Sequence, residues 1–146
     1  MTKKETAESF FEKGYSCVQS VLMAFCEDFG ISLQDAAKLT CGLGGGIAKT
    51  RETCGAVLGG IMVLGLAFSN GSAGDKKKLY EISQNFISDF QSAKGSSICR
   101  VLLGLDEDVK EDSAPSERTE KYYKERPCME LVGFAAELTE KYIAEK

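Results

Sequence analysis

The segment Cys54 to Phe68 reads CGAVLGGIMVLGLAF, without a single charged residue. It is the longest uncharged apolar run in the chain, and as a helix it would be apolar on every face. It is shorter than the ~20 residues that a membrane-spanning helix needs. A helix with no polar face has to be covered by protein. The run therefore predicts a buried central helix wrapped by others, with Thr53 as its N-cap. Gly55 and Gly59 lie one turn apart and predict a neighbouring helix at close range.

Helical periodicity recurs on both sides of this run, and no alternating apolar stretch suggests a strand. Helices are expected over Thr6 to Lys13, with Gly14 as a left-handed stop, and over Ser16 to Phe29. The second carries an apolar stripe of Val18, Val21, Leu22, Phe25 and Phe29. Ser32 caps a third, to about Cys41, followed by a glycine-rich loop. A fifth, after the central one, spans Asp75 to Lys94, with Leu79, Ile82, Phe86, Phe90 and Ala93 on one face. Ser96 or Ser97 caps a short helix through Leu103. The acidic stretch Asp106 to Asp112 reads as a solvated linker, and Ser116 to Glu125 as a short helix. Pro127 opens the last helix, where its missing N–H has no partner to lose. Leu131, Val132, Ala135, Leu138 and Tyr142 face inward from it. The fold class is all-α: a single-domain helical bundle over residues 1–146.

The chain carries a formal charge of −4, and its few arginines are scattered. Nucleic acid and anionic membranes, which select a basic stripe, are excluded as partners on that ground. Met1 to Gly14 is charged and lacks the apolar core of a secretory signal. The expected compartment is the cytoplasm. The expected partners are a redox partner and a second copy of the chain.

In a reducing compartment the six cysteines are not read as a disulfide framework. There is no histidine, which removes His-based metal sites, Cys-His catalysis and Ser-His-Asp triads. Four cysteines fall in the first turn of an expected helix: Cys17, Cys54, Cys99 and Cys128. There, unpaired N–H groups and the positive end of the helix dipole favour thiolate over thiol. Arg51, Arg100 and Arg126, each within three positions of Cys54, Cys99 and Cys128 respectively, would lower the thiol pKa values further. Cys26, on an apolar stripe, and Cys41, at a helix C-terminus, read as core filler. No Cys-x-x-Cys occurs, so any joint site must be assembled from four separate helices.

Gly14-Tyr15-Ser16-Cys17, Gly44-Gly45-Gly46-Ile47, Cys54-Gly55-Ala56-Val57-Leu58-Gly59, and the single Cys99 and Cys128 together resemble the C_GCAxxG_C_C family of redox-active proteins. The hallmark of that family is a CGAxxG motif with three further cysteines, and the resemblance covers nearly the whole chain. It implies redox or cluster chemistry at Cys17, Cys54, Cys99 and Cys128, and it leaves Cys26 and Cys41 outside the pattern.

The leading functional expectation is dithiol–disulfide chemistry, a thiol-disulfide oxidoreductase that uses a pair such as Cys54 with Cys17, Cys99 or Cys128. The second is an iron–sulfur cluster or a zinc ion held by the same four thiolates, as electron carrier or structural site. The third is a structural or interaction domain with inert thiols. Gly42 to Thr50 fails as a phosphate-binding loop, since Leu43 and Ala48 stand where the pattern needs glycine. It is read as a loop that lets backbones pass closely, with N–H groups available to the thiol site. Lys76-Lys77-Lys78 and Tyr122-Tyr123 are read as a solvated helix start and as half-buried packing. The Asp106 to Asp112 carboxylates lack EF-hand spacing.

Overall fold

The computed structural model describes residues 1–106 and 111–146. It is all-α, with eight α-helices among the described residues. In chain order these are α1 (Lys3–Glu12), α2 (Cys17–Phe25), α3 (Leu33–Thr40), α4 (Gly55–Phe68), α5 (Lys76–Lys94), α6 (Cys99–Leu103), α7 (Glu120–Glu125) and α8 (Cys128–Ala144). Of the expected linker from Asp106 to Asp112, residues 107–110 lie outside the described part.

The apolar run forms α4, and α4 packs against α2, α5 and α8. Small residues set the approach. A Cβ on Gly59 would stand 2.8 Å from Val21 Cβ, and one on Gly55 would stand 3.0 Å from Cys17 Cβ. Both distances are shorter than packed side chains tolerate, so these two glycines admit α2 as their spacing predicts. Ala56, Val57, Val63 and Leu64 are wholly buried. The opposite face of α4 is covered less completely than its sequence suggests. Leu58, Ile61, Met62 and Leu66 are half-buried, because three neighbouring helices do not close the ring. One continuous apolar cluster joins α4 to Val21, Leu22 and Phe25 of α2, Phe86 and Phe90 of α5, and Leu131, Val132 and Ala135 of α8. No single helix among the described residues is long and apolar enough to cross a membrane.

Several boundaries differ from the expected ones, each for a local reason. α1 starts at Lys3 rather than Thr6, because Thr2 accepts the Glu5 N–H as N-cap. The second helix is α-helical only to Phe25 and tightens into a 3₁₀ turn, Cys26–Phe29, ended by left-handed Gly30. α7 begins at Glu120 rather than Ser116, capped by Thr119. Pro127 is the N-cap of α8, and Cys128 its first residue. Ala93 of α5 is exposed, while Phe86 and Phe90 face the core.

Two connections shape the site. The segment 51–54 runs antiparallel to 97–100 through a bridge between Thr53 and Ile98. Cys54 N–H donates to Ser97 O at 2.8 Å, and Cys99 N–H to Glu52 O at 2.6 Å. Just before it, Gly45, Gly46, Ile47, Ala48 and Lys49 have φ of +65°, +62°, +70°, +50° and +62°, and Arg51 has +61°. The chain thus makes a left-handed turn, closed by N–H bonds from Ile47 to Leu43 O, Lys49 to Gly44 O and Arg51 to Gly45 O. Left-handed backbone costs an L-residue roughly 1–2 kcal/mol, and a β-branched residue such as Ile47 is least suited to it. The Ile47 side chain is 39% exposed and packs little. Ile47→Gly is therefore expected to stabilise the protein by about 0.5–1 kcal/mol, read as a rise in thermal midpoint. A fall would contradict the left-handed conformation.

Candidate functional site

Four helix starts meet beside the bridge. Cys17, Cys99 and Cys128 are the first residues of α2, α6 and α8, and Cys54 is the N-cap of α4. Ser16 fixes the start of α2 through a capping box: its side chain accepts the Gln19 N–H, and the Gln19 side chain accepts the Ser16 N–H. The bridge ties Cys54 to Cys99 through their backbones, and glycine at 55 lets Cys17 sit against the start of α4. The four thiols influence one another electrostatically, and the strongest of these influences runs between Cys17 and Cys128. Cys17 is the half-buried member; the other three are buried. The four expected cysteines thus come together in one place, and all six are free thiols.

The thiols do not share one character. Cys128 is lowered to about 7: hydrogen bonding from Cys17 stabilises its thiolate, and Arg126, Arg118 and Arg51 add to this against the cost of burial. Cys17 is correspondingly pushed up, by donating to Cys128 and by burial. Burial pushes Cys54 up to about 11, although the N–H groups of Ala56 and Val57 pull the other way. Burial also raises Cys99, with the Arg51 guanidinium opposing it. The expectation that helix starts favour thiolate at all four positions is therefore corrected. At Cys17, Cys54 and Cys99 desolvation, with sulfur–sulfur interaction at Cys17, outweighs the helix end; only at Cys128 do a hydrogen-bond donor and three cations outweigh it.

The sign of these shifts predicts alkaline sensitivity. A thiol raised on folding contributes stability that is full below its unfolded value near 9 and is lost as pH rises through the folded value. Stability is expected to fall between pH 9 and about 11, the folded value of Cys54. Denaturant unfolding across that window should show it, and Cys54→Ala should flatten the decline.

The arginines also differ from their sequence neighbourhoods. Arg51 reaches Cys99, its Nη1 lying 3.7 Å from the sulfur, and not Cys54. It is 5% exposed and is gripped by Glu111, which receives Nε and, at 2.8 Å, Nη2. The end of the acidic stretch is therefore pinned to the site rather than only solvated, and Arg51 holds the Glu111 carboxyl below the usual carboxylate range. Arg100 instead donates to the Asp106 carbonyl. Arg126 lies over the Tyr122 ring at 5.3 Å. Arg118 was not singled out in the sequence; it lies over Phe11 and Tyr122 at 4.3 and 4.9 Å and donates to the carbonyls of Phe11 and Tyr15. Burial and the nearby Cys128 raise Tyr122 to about 12.

Cys26 is fully buried and donates to Met23 O, as core filler should. Cys41 is not core: it is exposed, because its helix ends at the surface in a 3₁₀ turn. The glycine-rich loop serves the site sterically. A Cβ on Gly46 would lie 2.6 Å from Cys99 Cβ, and the left-handed turn delivers Arg51 to that sulfur.

Four thiols are the right donor set for zinc or an iron–sulfur cluster. Among the described residues, no group of three or more Cys, Asp or Glu side chains is placed to hold a metal ion.

A sequence model of the family described as "Putative redox-active protein (C_GCAxxG_C_C)" matches residues 15–142. No curated protein and no solved structure matches the chain.

Proposed function

Because the chain belongs to the C_GCAxxG_C_C family of redox-active proteins, and because two of its clustered thiols are shifted by each other in opposite directions, we propose that it performs thiol–disulfide exchange through Cys128 and Cys17. The observation that carries this reading is that Cys17 and Cys128 begin two helices, α2 and α8, that pack against each other, with Arg118 and Arg126 acting on Cys128.

In the forward direction the Cys128 thiolate attacks one sulfur of a disulfide. That S–S bond breaks, a mixed disulfide forms at Cys128, and the first substrate thiolate leaves. With Cys128 no longer a thiolate, the Cys17 proton has lost its acceptor and passes to the departing thiolate or to water. Cys17 then attacks the Cys128 sulfur and expels the second thiolate. Two electrons move from the protein dithiol to the substrate, and a Cys17–Cys128 disulfide remains. Both thiols are free in the structure, so closure needs the sulfurs to approach to about 2.05 Å. Cys17 is the more exposed of the two.

Oxidising the reduced protein with one equivalent of an aromatic disulfide and mapping the product by mass spectrometry tests this. A Cys17–Cys128 bond is expected, with a mixed disulfide trapped at Cys128 in Cys17→Ala. A product that joins Cys54 to Cys99 and leaves Cys17 and Cys128 reduced would overturn the assignment.

A further inference from the structure

Beside the cysteine cluster lies a cavity of about 500 Å³. This is within the range of roughly 300–1,000 Å³ that small-molecule sites occupy. One wall is the start of α2 with Ser16, the next is the glycine-rich loop with Gly42, Gly44 and Gly45, and the rest comes from the irregular segment with Ser113, Pro115 and Ser116 and from the approach to α8. Among the described residues its lining includes Lys49, Arg51, Arg118 and Arg126 and no carboxylate, with Glu111 and Asp112 paired to Lys49 and Arg51 beside it. The whole chain is acidic, at −4, so this gathering of positive charge does not follow from composition.

The cations differ in what they already hold. Arg51 is committed to Glu111 and Cys99, Arg118 to two carbonyls and three rings, and Lys49 to Asp112 at 3.5 Å and to Ala114 O. The Arg126 side chain lies on Tyr122 and makes no side-chain hydrogen bond or ion pair to a described residue. Its guanidinium keeps five N–H donors in a fork suited to a carboxylate. Neither Cys17 nor Cys128 is among its described lining residues, but a near neighbour of each is. Ser16, in its wall, precedes Cys17, and Arg126 stands two residues before Cys128. Tyr122, in the same wall, responds to both Cys128 and Cys17.

We propose that this cavity binds the exchange partner, and that the partner is a low-molecular-weight disulfide bearing carboxylates. Arg126 holds a carboxylate, and the disulfide sulfur is turned toward Cys17 and Cys128. This rests on the exchange reading above. The chemistry is the same two-step exchange: the anionic disulfide is the oxidant, it takes two electrons, and it leaves as two thiols. Cys41, the one cysteine among the described lining residues and exposed, would form mixed disulfides of its own, so the test is made in Cys41→Ser.

Two measurements separate the site from the reaction. The first is calorimetric titration with S-methylglutathione, an anionic thioether that cannot exchange. Binding is expected, weakened about tenfold in Arg126→Gln and by added salt, and largely kept in Arg126→Lys. The second is the rate at which the reduced protein is oxidised by glutathione disulfide, by neutral hydroxyethyl disulfide and by cationic cystamine. The anionic disulfide should be fastest by about tenfold over the neutral one, with cystamine slowest. Arg126→Gln should compress that ratio; any change in Cys128 acidity affects every substrate and cancels in it. Equal or reversed rates without thioether binding would overturn the cavity assignment and leave exchange standing. Thioether binding with no oxidation by any of the three would leave the site standing and overturn exchange. A protein disulfide that oxidises the chain faster than all three would overturn the small-molecule assignment.

Discussion

Cys128→Ser is expected to reduce disulfide exchange at pH 7 on the order of a hundredfold, measured as turnover of hydroxyethyl disulfide with a chemical reductant. A serine hydroxyl is a weak nucleophile at its free pKa. Each other clustered thiol is held above its ordinary value, so none supplies a comparable thiolate fraction. The substitution should also make Cys17 more acidic, since hydrogen bonding to Cys128 is the largest influence raising it. Cys54→Ser is expected to leave most of the rate. Equal losses in Cys128→Ser and Cys54→Ser would point instead to a joint role for all four sulfurs.

Arg51→Gln is expected to destabilise the protein by about 2–3 kcal/mol. Removing one partner of a fully buried ion pair costs about 3–5 kcal/mol. Arg51 is 5% exposed, but the Glu111 side chain is 19% exposed and is partly rehydrated, which lowers the figure. The thermal midpoint should fall by roughly 5–10 °C for a chain of this length. The same pair sets an acid limit. Glu111 is lowered on folding, so its contribution is full above the unfolded carboxylate value and is lost as pH falls through the folded one. Wild type should lose stability in that window, and Arg51→Gln should lose less. A second consequence follows at Cys99, where the loss of the guanidinium should raise the thiol further. The left-handed turn before Arg51 is strained at Ile47, Ala48 and Lys49, so the grip of Glu111 on Arg51 also holds an unfavourable backbone in place.

The bundle is legible because its signals are local and repeated. A run from Cys54 to Phe68 with no polar face has only one place to go, and glycine at 55 and 59 marks the side from which α2 approaches. The four site cysteines are legible because each helix start falls within a residue or two of the expected one, although Cys54 and not Thr53 is the N-cap of α4, and Ile98 and not Ser96 or Ser97 that of α6. Their chemistry is not. Acidity at each sulfur depends on burial and on neighbours distant in sequence: Cys17 lies against Cys128, and Arg51 against Cys99 and Glu111. Position in the first turn alone favours thiolate at Cys54, where burial reverses it. The turn from Gly45 to Arg51 is hidden for another reason. Three glycines announce a loop, but nothing in Ile47-Ala48-Lys49 announces positive φ, which those residues adopt only because the surrounding structure imposes it. Cys41 sits where a helix period would bury it, yet the helix ends at the surface.

The central claim is that Cys128 is the thiolate of the cluster and Cys17 the thiol that makes it so. The pH dependence of alkylation at each cysteine, followed by mass spectrometry on protein reduced and purified without oxygen, and assayed for iron, sulfide and zinc, tests it most directly. Metal-free protein is expected, in which Cys128 titrates near 7, ahead of Cys17, Cys54 and Cys99, and moves upward in Cys17→Ala. Cys128 titrating with the others near 9, or stoichiometric metal protecting all four sulfurs together, would contradict it.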